Sequence, residues 1–157
     1  MSADEFVAME ESVHRAKALG LAGVVFGLLL ESGEVDVVRT RRLVELAKVD
    51  GLEVTFHRAI DETPLPLRAL EDVIGCGVDR VLTSGGAVDV IAGMDELEEM
   101  TRVAAGRVVV AAGGGVRVAN ASLLAGRGLC DLHGTLGLGS VRVEDVRGVV
   151  EVLKGAR

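Results

Sequence analysis

Apolar segments recur along this chain at a nearly constant interval. Their first strand-like residues fall at Val24, Val54, Val81 and Val108, steps of 30, 27 and 27 residues. Each is a short aliphatic run that stops in glycine or polar residues: Gly23–Gly27 (GVVFG), Val54–Asp61 (VTFHRAID), Arg80–Gly86 (RVLTSGG) and Val108–Gly115 (VVVAAGGG). Asp131–Thr135 (DLHGT) is a fifth. Between them, apolar residues stand three and four apart, the spacing of a helix with one buried face. A repeated strand–helix unit builds a parallel sheet with helices outside it, because parallel neighbours need a long crossover. The repeat alone does not choose between an open sheet and a barrel.

Taken in order, a helix comes first, capped by Ser2 or Asp4, with Phe6, Met9, Val13, Ala16 and Leu19 as its stripe and Gly20 as its stop. A strand over Gly23–Leu29 follows, then a helix carrying Val35, Val38, Leu43, Leu46 and Ala47 inward and ending at Gly51. The next strand is Glu53–His57, and Thr63-Pro64-Leu65-Pro66 starts the helix of Leu67, Leu70, Val73 and Ile74. Strand Arg80–Thr83 leads to a helix with Met94, Leu97, Met100 and Ala104 inward. Strand Val108–Ala112, a short helix with Leu123 and Leu124, strand Cys130–Gly134 and a last helix with Val146, Val149, Val150 and Leu153 complete the order.

At 157 residues the chain is expected to be a single domain, 1–157. It is 49% hydrophobic but 2% aromatic, so its core is aliphatic. A net charge of −7 argues against nucleic acid as a partner, since phosphate binding needs a cationic surface. The N-terminal stretch is acidic and amphipathic, unlike a signal peptide, and Leu21–Leu30 is too short to span a membrane. Two cysteines, Cys76 and Cys130, give no disulfide framework and suit a reducing compartment. The expected location is cytoplasmic, with no membrane partner.

The chemistry lies where the strands end, the ligand-binding edge of parallel α/β folds. His57, Arg58 and Asp61 follow the second strand. One expectation makes His57 an acid, base or metal ligand and Arg58 an anion clamp. The other makes Arg58–Asp61 a pair that fixes the loop, with His57 hydrogen-bonded to backbone; the two stand even. Thr83-Ser84-Gly85-Gly86 and Gly113-Gly114-Gly115 are glycine loops whose N–H groups can converge on an anion. They can also be plain tight turns; two such loops beside His133-Gly134-Thr135 favour the anion site. His133 sits at the fifth strand. Cys130-Asp131-Leu132-His133 has the form C-x-x-H, but strand positions three apart face opposite ways. Lys17, Lys48 and Lys154 all fall in helices, which disfavours Schiff-base chemistry.

TFHRAID, LEDVIGCGVDRVLTSGG, VVVAAGGGV and DLHGT, in this order and together with GVVFGLLLESGEV, resemble the CutC copper-homeostasis family. The resemblance implies an α/β fold, a partial (β/α)8 TIM barrel of five parallel strands preceded by a helix, lacking the first three barrel strands. The loop after Thr135 is shortened relative to the family, to LGLGS. It further implies a cytoplasmic, often oligomeric protein with a role in copper homeostasis. If copper is bound directly, His57 and His133 are the better ligands on this chain, with thiolates supplied from elsewhere. The alternative is an enzyme, or the remnant of one, acting on a small anionic or phosphorylated substrate. Five strands leave two raw edges, so a homo-oligomer is expected, two arcs covering each other.

Overall fold

The computed structural model describes residues 2–136 and 141–155. Residues 137–140, most of the LGLGS loop, lie outside that set. The elements run α1 (Ala3–Ala18), β1 (Gly23–Phe26), α2 (Val37–Val49), β2 (Glu53–Phe56), a 3-10 helix (Arg58–Glu62), α3 (Pro66–Cys76), β3 (Arg80–Thr83), α4 (Met94–Ala104), β4 (Val109–Gly113), α5 (Val118–Gly126), β5 (Leu132–His133) and α6 (Val143–Gly155). The strands form one parallel sheet in chain order. The chain divides into two compact units, Met1–Val81 and Leu82–Arg157, and β3 crosses the boundary between them.

In the first unit, Ser2 and Glu5 form a capping box that satisfies two N–H groups at the start of α1: the Ser2 N–H donates to Glu5 Oε2 at 2.6 Å and the Glu5 N–H to Ser2 Oγ at 3.2 Å. Asp36 caps α2, accepting the Arg39 N–H at 3.0 Å. Pro66 opens α3, where its missing N–H costs nothing. β1 and β2 pair in register from Gly23↔Glu53 to Phe26↔Phe56. Val54, Phe56, Leu43, Leu70 and Val73 are fully buried and make the aliphatic core. Asp79 ties this unit together: it accepts the Val54 N–H at 2.7 Å and the ammonium of Lys48.

Two expected inward residues of this unit face out. Val38 is 81% exposed, because Thr40, Leu43, Val44 and Ala47 define the buried face of α2 and position 38 lies opposite them. Leu19 is exposed because α1 ends at Ala18, leaving it as the cap residue. β1 is also shorter than Gly23–Leu29. After Gly27 the chain folds back on itself, with Asp36 N–H donating to Leu28 O and an antiparallel bridge between Leu29 and Val35.

In the second unit α4 buries Met94, Leu97, Met100 and Ala104, as their spacing predicts. β4 and β5 pair through Ala112↔Leu132 and Gly113↔His133. β5 has two residues rather than the expected Cys130–Gly134. On α5, Ala121, Leu124 and Ala125 face inward and Leu123 is exposed. On α6, Val149 alone of the expected stripe is fully buried; Val146 and Val150 are exposed. No helix among the described residues is long and apolar enough to cross a membrane.

Candidate functional site

β2 delivers the first cluster. It ends at Phe56, and His57 then becomes the cap of the 3-10 helix, with φ −83° and ψ −173°. The strand rule of alternating faces therefore stops before His57 and Arg58. His57 Nδ1 accepts the Ala59 N–H at 3.2 Å. A ring nitrogen that accepts carries no proton, so the neutral ring is protonated at Nε2, which is left as a donor. The ring stands edge-on to Phe56, centroids 6.2 Å apart. It also fills the space above Gly27: a Cβ there would lie 2.5 Å from Nδ1 and 3.1 Å from Ala59 Cβ. Gly27, at the end of β1, is thus the seat of the His57 ring. Its place in GVVFG at a strand end was the one sequence sign of it.

Arg58 Nε donates to Asp61 Oδ2 at 2.7 Å, three residues on within the 3-10 helix. Asp61 therefore lies within a helical turn. Its side chain is 8% exposed, while that of Arg58 is 43% exposed. A largely buried carboxylate anchors a partly exposed arginine. Both features of the loop-fixing expectation, the ion pair and the histidine–backbone bond, are present. They leave an N–H donor at Nε2 of the neutral ring and a cation on adjacent residues.

The glycine loops of the second unit are stitched tightly. Thr83 Oγ1 accepts the Gly85 N–H at 2.9 Å, and Ser84 Oγ donates to Ala87 O at 2.6 Å. Both hydroxyl residues are fully buried. Gly85 and Gly93 touch backbone to backbone, so closely that a Cβ on either would overlap the other's segment. Val90 N–H donates to Gly114 O at 2.9 Å, and Asn120 Nδ2 to Gly115 O at 2.9 Å. A Cβ at Gly115 would come within 2.9 Å of Asp89 Cβ. Packing alone accounts for the absence of side chains at Gly85, Gly93 and Gly115. The Asp89 carboxylate caps the Ile91 and Ala92 N–H groups at 3.0 and 2.9 Å and places negative charge beside Gly115. Gly86 is exposed, and Gly113 is held small by Leu82. Asp89 and Gly93 were not singled out in the sequence, because nothing local marks two loops that touch.

His133 is exposed on β5, in register with Gly113. Cys130 precedes that strand and is half-buried. Cys76 is buried at the end of α3, with Sγ 3.6 Å from Val37 O; burial pushes its thiol above the ordinary range. Met100 Sδ meets the Thr83 hydroxyl at 3.9 Å. Among the described residues no group of three or more His, Cys, Asp or Glu gathers where a metal ion could be held.

Residues 1–138 match the CutC family. The CutC-family protein of Vibrio vulnificus (strain CMCP6) is 45% identical over 124 residues, 79% of this chain and 50% of that protein. The one from Chromobacterium violaceum is 47% identical over 133 residues, 84% of this chain and 53% of the relative. The chain spans about half the length of the curated relatives it matches. Among solved structures, CutC from Streptococcus agalactiae matches with a TM-score of 0.80 at 24% identity, over 87% of this chain and 67% of the other. The native KDPGal structure matches with a TM-score of 0.66 at 15% identity, over 94% and 65%. At such identities the likeness speaks for the fold, which is the TIM-barrel-like α/β type represented here by five strands.

Proposed function

We propose, because this chain belongs to the CutC family, that it serves copper homeostasis and does so by binding a small anionic ligand at the end of β2. Copper homeostasis is the role named for the S. agalactiae neighbour. The ligand reading rests on one observation. Asp61 holds the partly exposed Arg58, and the Ala59 N–H fixes the ring of the preceding residue, His57, with the proton of its neutral form at Nε2. A neutral imidazole donor and a fixed cation suit a carboxylate or phosphate oxygen, with Nε2–H available as an acid. The Gly85–Gly86 and Gly113–Gly115 loops are weaker candidates, because Asp89 sets a negative charge beside Gly115.

Copper itself suits these residues poorly. Cu(I) favours thiolate and thioether ligands, and the buried Cys76 thiol resists ionisation. Ligation through His57 Nε2 would move the ring proton to Nδ1, directly against the Ala59 N–H. Among the described residues the donor set does not fit a closed copper site.

Copper sensitivity of a deletion strain tests the proposal. Cys76→Ser and Cys130→Ser variants are expected to restore tolerance as the wild type does, and Arg58→Gln to fail. Full rescue by Arg58→Gln with failure of a cysteine variant would reverse the assignment.

A further inference from the structure

Thr63-Pro64-Leu65-Pro66 stands where α3 begins, yet the Thr63 hydroxyl does not serve that helix. The cap residue of α3 is Leu65, and no side chain caps its N–H groups. Thr63 is buried and turns back instead. Its Oγ1 donates to Ile60 O at 2.7 Å, and its N–H donates to the same oxygen at 3.2 Å. Pro64 sets this geometry. The ring of a proline clashes with a helical residue before it, so that residue is confined to extended backbone; Thr63 has φ −75° and ψ 144°. The extended turn ends the 3-10 helix and returns the hydroxyl to a carbonyl three residues back, a local bond that threonine readily makes.

The doubly held oxygen controls the residue that follows it. The peptide between Ile60 and Asp61 is planar, so fixing the Ile60 carbonyl also fixes the nitrogen and Cα of Asp61. Ile60 itself is fully buried and anchors the same peptide through its side chain. Asp61 then holds Arg58, whose Nε donates to Oδ2 at 2.7 Å. The line of support therefore runs from Pro64 through Thr63, the Ile60 carbonyl and Asp61 to the Arg58 guanidinium. We propose, resting on the anion reading of the His57–Arg58 cluster, that Thr63 is a positioning residue of that site. Its hydroxyl, aimed by Pro64, keeps the Asp61 carboxylate where it anchors Arg58, and so fixes the cation that meets the anion.

Nitrogen-15 spectra of Arg58 Nε, without ligand and during titration with inorganic phosphate, test this on variants of the 157-residue chain. Without phosphate, Thr63→Val should move the Nε signal towards its position in Asp61→Asn, where the anchor is lost. It should also weaken phosphate about fivefold, the net worth of one hydrogen bond. Thr63→Ser keeps the hydroxyl and should match the wild type in both readouts. Pro64 is exposed, so Pro64→Ala should fold; it frees the Thr63 backbone and should shift both readouts in the direction of Thr63→Val, by less. This variant decides the matter if Thr63→Val fails to fold. Thr40 is the control: it is fully buried and its hydroxyl has no partner, so Thr40→Val should leave Arg58 and phosphate unchanged. A purely structural Thr63 would lower the urea midpoint and leave the Nε signal and phosphate affinity in place. That result, or Thr63→Ser behaving as Thr63→Val, would overturn the proposal. A wild type that binds no phosphate would end the anion reading, and the ligand-free Nε signals would still show whether Thr63 positions Arg58.

Discussion

Replacing Gly27 by alanine probes the positioning of His57 directly. Gly27 has no left-handed backbone, so alanine meets no conformational penalty there, and the effect comes from space alone. The new Cβ would stand 2.5 Å from Nδ1 and 2.7 Å from Cε1, against an ordinary contact of about 3.5 Å. The ring has to retreat by about 1 Å, which takes the 3.2 Å bond from the Ala59 N–H out of range. Loss of that bond costs about 1 kcal/mol and crowding against Ala59 about another. The loss of unfolded-chain freedom on Gly→Ala returns about 0.5 kcal/mol. The net expectation is a destabilisation of about 1–2 kcal/mol in urea unfolding. In a His57→Ala background the ring is gone and only the contact with Ala59 remains, so Gly27→Ala should cost about 0.5 kcal/mol or less, a coupling of about 1 kcal/mol. Nitrogen-15 shifts of the ring should also change, since Nδ1 is no longer fixed as an acceptor. Equal effects of Gly27→Ala in both backgrounds would refute the seat assigned to the ring.

Gly93→Ala should be more damaging, by about 3 kcal/mol or more, because its Cβ meets the Ser84 carbonyl, a backbone group that cannot rotate away; thermal unfolding reads this. Leu97→Ala, which opens a hole at a fully buried position, should cost about 2–5 kcal/mol in urea unfolding. Burial of Asp79 raises its carboxyl, but hydrogen bonds from Lys48 and the Val54 N–H outweigh this and hold it below the ordinary carboxylate range. A depressed folded value gives stability that is complete above about pH 4, the unfolded value, and fades as pH falls through the folded one. Asp79→Asn should therefore cost about 1 kcal/mol at pH 7, and less at pH 2 than at pH 7, when urea midpoints are compared.

The βα repeat was legible because strand and helix periods differ so plainly and glycine marks the joins. The inward set Met94, Leu97, Met100 and Ala104 followed from spacing alone, since α4 presents a single face to the core. Val38 and Leu123 could not be placed by spacing. A one-residue shift in where a helix begins, set by the Asp36 cap for α2, rotates an aliphatic residue out of the core. The site was legible as a list and not as a geometry. His57, Arg58 and Asp61 stood together in the sequence, yet the strand expected to run to His57 ends at Phe56, so strand alternation says nothing of where they point. The glycines of the second unit carry the same letters as an anion loop. That Gly85 lies on Gly93, and Gly115 on Asp89, depends on chain segments several residues away meeting in space.

Whether the His57–Arg58 cluster receives an anion is tested most directly by nitrogen-15 spectra of the His57 ring and Arg58 Nε during titration with inorganic phosphate. The prediction is saturable shifts of His57 Nε2 and Arg58 Nε, with His57 Nδ1 unchanged and the response abolished in Arg58→Gln. Spectra that stay fixed to high phosphate, or that shift identically in Arg58→Gln, would contradict it.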